Sequence, residues 1–231
     1  MGQLAKGEHS DVYLARRDAR VTELVVVKMA RGADGSLAAE WQVLEKITKS
    51  TAQGAPHFTR LLPQPVAHGT ARLGMHGRDG ERRVTIVRWR SGFVHTFDDI
   101  ATAYSGGVKP ESSVWLWKRI LELLGWVHLA GWSHGAITAP HLVVHARDHG
   151  VVLIGWSRAV PATPAGRNAD LAASAACMKR LLNGSAPAPI AALLDQPGDD
   201  AWAARDRLDA AARTVFGPAK YIPFSMPGWR Y

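Results

Sequence analysis

The chain has 231 residues, 47% apolar and 21% charged, which is globular composition with enough length for one good core or two small lobes sharing a cleft. Its formal net charge is +8, but the basic residues fall in short groups such as Arg16–Arg17, Arg88/Arg90 and Lys179–Arg180, more like a solvated surface than a nucleic-acid footprint. No apolar run reaches the roughly 18–20 residues of a membrane span, a strand pattern begins too early to leave room for a signal peptide, and the lone Cys177 excludes an internal disulfide, so a cytoplasmic protein with a buried thiol is expected.

The first third reads as strands with one helix. Gly7 to Ala15 enters a strand, and Thr22 to Met29 (TELVVVKM) is β-branched and apolar, a second one. Ser36 is placed to cap a helix running to Ile47, with Leu37, Trp41, Leu44 and Ile47 on one stripe. Two further strands are expected at Leu62–Ala67 and Arg83–Trp89, the latter after a Gly-rich turn at Gly77–Gly80. Beyond Ser91–Gly92 the pattern turns helical. Phe97–Tyr104 is short, and Ser112–Leu129 is apolar nearly all round, the signature of a central buried helix. His141–Val144 and Val151–Ile154 form a small hairpin around Arg147–Gly150. Ala169–Leu182 and Trp202–Val215 supply closing helices before an irregular tail from Pro218 to Tyr231. The expectation is an α+β fold in two lobes, residues 1–90 and 91–231.

Two charges stand out against this pattern. Lys28 lies on a strand, on the same side as Leu24 and Val26, because side chains alternate. Glu40 lies on the buried stripe of the next helix, three residues from Leu37 and four from Leu44. An unpaired inward charge is costly, so each needs a partner of opposite sign or a ligand. Together they read as a structural ion pair, as a lysine snorkelling to solvent, or as part of an anion site.

Val25-Val26-Val27-Lys28 resembles the V-A-I-K strand of protein kinases, and Glu40 the helix glutamate that pairs with its lysine. Lys6 to Tyr13 stands where the phosphate-covering Gly-rich loop belongs, with Gly7 and Val12 matching and Ala5 and Ser10 in place of the outer glycines. His134-Gly135-Ala136 through His141-Leu142-Val143-Val144 resembles the catalytic loop H-R-D-L-x-x-x-N and its strand, and Gly155-Trp156 stands at D-F-G. Asp170 matches the aspartate that anchors the helical lobe. The resemblance runs from about residue 4 to 215 and implies a bilobal kinase-like fold. It also implies an ATP site with Lys28, Glu40, Gly7, Val12, Val87 and Trp89 as nucleotide contacts, the last two at the hinge.

The departures fall on the chemistry. In a kinase the loop aspartate takes the hydroxyl proton, while the loop asparagine and the D-F-G aspartate hold magnesium. Here these positions are Ala136, His141 and Gly155, and none offers a carboxylate. Leu44, His134 and Trp156 keep the bulk that stacks between kinase lobes. The implied protein is a pseudokinase with no metal site and no catalytic residue, binding ATP without magnesium if at all, and serving a protein partner as scaffold or regulator. More narrowly, the run from His134 to Trp156 resembles a compact bacterial and phage kinase-like group. Two alternatives remain open: a divergent ATP-dependent transferase that uses the kept Lys28 and Glu40, and a basic nucleic-acid-binding module. His134, His141, His145 and His149 are close in sequence but match no zinc spacing. The nine tryptophans read mainly as core, Trp89 between Arg88 and Arg90 excepted.

Overall fold

A computed structural model describes residues 2–7, 9–18, 23–32, 35–72 and 80–228. Glu8, Thr22, Gly77 and Trp229, and with them most of the expected Gly77–Gly80 turn and the end of the tail, lie outside the described residues.

Strands β1 (Gly2–Lys6), β2 (Ser10–Arg16), β3 (Leu24–Ala30), β4 (Pro65–Arg72) and β5 (Glu81–Arg88) form one antiparallel sheet in the order β1-β2-β3-β5-β4. Its central ladder sets Val12 opposite Lys28, Lys28 opposite Thr85, and Val26 opposite Val87. Directly opposed residues share a face. Thr85 is in turn opposite His68, whose ring lies 4.3 Å from that of Trp41 on helix α1 (Ser36–Ile47). Helix α1 therefore lies on the face that carries Lys28. Alternation places Lys28 on one side with Leu24 and Val26, and that side is the less buried one. Val25 and Met29, on the other side of β3, are buried, whereas Leu24 is exposed and Val26 and Lys28 are half-buried. The Lys28 side of the strand looks onto a cleft.

The second half is built around α4 (Pro110–Leu129), which follows the short α2 (Ala55–Phe58), β6 (His95–Thr96) and α3 (Phe97–Ala103). Leu116, Trp117, Ile120, Leu121, Leu124 and Trp126 of α4 are essentially inaccessible to solvent. After α4 come β7 (Trp132–Ser133), β8 (Leu142–His145), β9 (Gly150–Leu153) and β10 (Val160–Pro161). Three helices close the chain, α5 (Pro164–Leu182), α6 (Ala188–Asp195) and α7 (Ala201–Phe216), with α5 and α7 packed on α4. Strands β6, β8 and β9 form a small sheet, and β7 pairs with β10. Among the described residues no helix is long and apolar enough to cross a membrane.

Several boundaries differ from the expected ones for local reasons. Gly35 stands at the N-cap of α1, and Ser36 is its first residue. The strand expected at Leu62–Ala67 runs from Pro65 to Arg72, because Leu62 is fully buried at the end of a 3-10 turn that precedes it. Helix α5 starts at Pro164 instead of Ala169. Thr163 caps it by accepting from the Gly166 amide at 3.0 Å, and proline suits a first turn that needs no N–H. Strand β1 and helix α6 were not foreseen. β1 is exposed throughout and carries no apolar alternation, and α6 follows a Pro/Ala stretch that reads as a linker.

Candidate functional site

Between the sheet and the helical half lies a cavity of about 730 Å³. Its upper wall includes Lys6, Gly7, His9, Lys28 and Glu40, and its floor Ala136, His141, Gly155, Arg158 and Asp170. The structure thus brings Gly7, Lys28 and Glu40 together with all three degenerate positions. Val12, Val87 and Trp89 do not line this cavity. Val12 and Val87 sit on the same sheet face as Lys28 and Val26, and Trp89 is tied by its amide to the Leu24 carbonyl at 3.2 Å.

The wall is a closed network. The Lys28 ammonium donates to both Glu40 oxygens at 2.6 and 2.7 Å, and the Trp156 amide donates to Glu40 Oε1 at 3.2 Å. Burial works to raise the Glu40 carboxyl, but the Lys28 charge and these hydrogen bonds outweigh it and hold the group below its usual value. Glu40 therefore stays ionised, with its acceptor capacity largely used.

The floor hangs from Asp170, which is 1% exposed. Its carboxylate accepts from the backbone amides of His134 and Gly135 at 2.8 and 2.9 Å and faces His128 Nε2 at 3.1 Å. This fixes the start of the loop where sequence alone suggested an anchor. Its partner His128 was not foreseen, because a histidine in the last turn of a helix carries no pattern of its own. Gly135 has φ +70°, and a Cβ there would lie 2.6 Å from the Arg158 carbonyl oxygen, so the arginine of H-R-D could not be placed on this backbone. His134 is buried between the halves, its ring 4.7 Å from that of Trp156. Its Nε2–H donates to the Ile154 carbonyl at 3.1 Å, and Nδ1 accepts from the Ala136 amide at 3.3 Å, which defines the neutral ring. Burial pushes its pKa down to about 4.

His141 decides what the floor can hold. Its Nδ1–H donates to the Ala136 carbonyl at 2.7 Å, which turns the ring over Gly155. A Cβ on Gly155 would lie 2.6 Å from His141 Nε2. The imidazole thus fills the room that a side chain at 155 would need. Magnesium calls for hard oxygen ligands at about 2.0–2.1 Å. Ala136 and Gly155 supply none, the two carboxylates that line the cleft among the described residues are committed to amides, Lys28 and His128, and an imidazole is a poor substitute. The residues present do not fit the metal.

No protein-family model and no curated protein matches the sequence. Solved structures do resemble the chain. The kinase domain of BubR1 matches over 92% of this chain and 79% of its own, with a TM-score of 0.67 at 13% identity. Vaccinia related kinase 3 matches over 93% and 86%, with a TM-score of 0.65 at 15% identity. The chain has the bilobal fold of a protein kinase. On this kinase-like frame β3 and α1 carry the ion pair, and the loop after α4 forms the floor.

The remaining sequence candidates separate. His145 turns to Phe93, with ring centroids 5.3 Å apart, and toward Asp148, while His149 stacks on Trp115. Among the described residues no group of three His, Cys, Asp or Glu side chains is placed to hold a metal. At the hinge Arg90 lies 4.7 Å over the Phe93 ring, and burial, then repulsion from Arg60 and Arg88, lowers its pKa.

Proposed function

We propose that this kinase-like chain is a pseudokinase, a binding scaffold or regulator whose cleft takes phosphate groups without magnesium. The observation that carries the reading is the His141 ring seated against Gly155, which puts an imidazole where a metal-binding carboxylate would stand. With Ala136 unable to act as a base and, among the described residues, no uncommitted carboxylate lining the cavity, phosphoryl transfer by the kinase route lacks both its metal and its proton acceptor. Lys6, Lys28 and Arg158 line the same cavity and supply the charge that an anion needs. A protein partner, a cytoplasmic location and the bacterial or phage affinity of the His134–Trp156 run belong to this proposal.

Calorimetry with ATP tests it. The expected heat is small and unchanged by magnesium, and magnesium-dependent autophosphorylation would overturn the reading. A pair of variants goes further. Gly155→Asp alone is expected to cost about 1–3 kcal/mol through its clash with the His141 ring. Adding His141→Asn should recover the part due to the clash, leaving the strain of a side chain at φ +81°, and create a magnesium-dependent rise in Tm with ATP. Magnesium dependence in Gly155→Asp alone would show that the ring is no obstacle.

A second reading, a divergent ATP-dependent transferase, draws on the intact Lys28–Glu40 pair, whose geometry would serve a bound nucleotide. Mass spectrometry after incubation with ATP and magnesium or manganese separates the two, since the transferase leaves an adduct or consumes nucleotide.

A further inference from the structure

The charges of the cleft do not cancel. Lys28 is spent on Glu40, and Asp170 on the His134 and Gly135 amides and on His128. What remains on the cavity lining is Lys6, at the end of β1, and Arg158, just beyond Gly155. Lys6 stands opposite Asp11 across the β1–β2 ladder, but that carboxylate is taken by Arg31 at 2.8 Å. Neither Lys6 nor Arg158 makes an ion pair among the described residues, and both are exposed. Three hydroxyls join them on the lining: Ser10 on β2, Thr138 in the loop after α4, and Ser157 beside Arg158. None of the three makes a hydrogen bond among the described residues, and none is buried. Cations and hydroxyl donors from both halves, all within reach of a solute, suit the oxygens of phosphate groups.

The same cavity stops short of a place for a base. Val12, Val87 and Trp89, where adenine was expected to dock, lie outside its lining, and so does Val26 between them on the sheet. Among the described residues its large apolar side chains are Leu37 and Ile137, and no Phe, Tyr or Trp ring lines it. The His141 ring does, but its bond to the Ala136 carbonyl holds it against Gly155. A nucleobase draws its affinity from stacking, worth about 1–3 kcal/mol on an aromatic ring, or from a slot between apolar walls. This lining offers neither. At about 730 Å³ the cavity still lies within the roughly 300–1,000 Å³ of small-molecule sites and has room for several linked phosphate groups.

Given the reading of the cleft as a phosphate site independent of magnesium, on which this step rests, we infer that its ligand is an oligophosphate chain without a nucleobase. Lys6 and Arg158 neutralise the chain from the two halves, and the Ser10, Thr138 and Ser157 hydroxyls donate to its oxygens. Base and ribose contribute nothing to the affinity.

Tripolyphosphate is the probe, compared with ATP and adenosine by calorimetry on the full chain in EDTA. Tripolyphosphate is expected to bind at least as tightly as ATP, and millimolar adenosine to give no heat. Lys6→Ala and Arg158→Ala, both at exposed positions, should each weaken tripolyphosphate about fivefold, the upper worth of one exposed ion pair. Lys49→Ala, an equal loss of charge outside the cavity, should change it by less than about twofold, because salt screens distant charges. The inference is overturned if ATP binds more tightly than tripolyphosphate, if adenosine binds, or if tripolyphosphate gives no heat. It is also overturned if Lys49→Ala costs as much as the two cleft variants, the mark of an unspecific attraction to a net charge of +8. A preference for ATP that magnesium leaves unchanged sinks this inference alone, whereas magnesium-dependent autophosphorylation sinks the reading beneath it.

Discussion

The wall and the floor of the cleft are built on opposite terms. On the wall the two inward charges of β3 and α1 hold each other: Lys28 holds Glu40, and Glu40 also holds the Trp156 amide, which ties the sheet to the floor. On the floor the backbone is held just as firmly, by Asp170, but the positions that would touch a phosphate and its metal are a methyl, an imidazole and a bare α-carbon. The difference teaches that a kinase-like cleft can keep its internal bonding with no carboxylate at residues 136, 141 and 155. The anchoring carboxylates bond the protein itself, whereas catalytic ones need free lone pairs aimed at a ligand.

The comparison predicts that damage scales with anchoring and not with nearness to a reacting centre. Asp170→Ala should have the largest effect, about 3–5 kcal/mol in urea unfolding, since it leaves the buried His134 amide, the part-buried Gly135 amide and His128 without their acceptor. A loss under about 1 kcal/mol would mean that the floor does not hang from this residue. Lys28→Met comes next at about 3 kcal/mol, because it leaves the Glu40 carboxylate buried and unpaired. Adding Glu40→Met should recover part of that loss but not all, as the Trp156 amide still lacks an acceptor. Full additivity of the two single losses would show that the pair is not coupled.

The smallest effect is a slope with pH. His134 titrates near 6.5 when unfolded and about 4 when folded, so the unfolded chain binds the extra proton between these values. The stability this contributes is complete above pH 6.5 and is lost as pH falls, by about 2–3 kcal/mol down to about pH 4.5. His95 and His149, also held down by burial, add slopes of the same sign. His134→Phe keeps a ring against Trp156 and should flatten the dependence of the urea midpoint over this window. An unchanged slope would place the titration elsewhere.

Much of this was legible in the chain. Lys28 on a β-branched strand and Glu40 on a buried stripe each needed an opposite charge or a ligand for electrostatic reasons, and the structure joins them at 2.6 Å. The long apolar segment had to be a central helix because no surface helix is apolar nearly all round. Residue identity at 136, 141 and 155 was enough to show that no carboxylate stands there. What only the tertiary structure decided is where atoms without a sequence pattern meet. The His141 ring over Gly155, the carbonyl of Arg158 against Gly135, and the stacked rings of Trp115 and His149 beneath the tail all join segments distant in the chain or set by a side-chain torsion. Periodicity fixes which face a residue occupies, because that is a local property of the backbone. It carries no information on which distant group fills the remaining space, since close packing settles that only once the elements have docked.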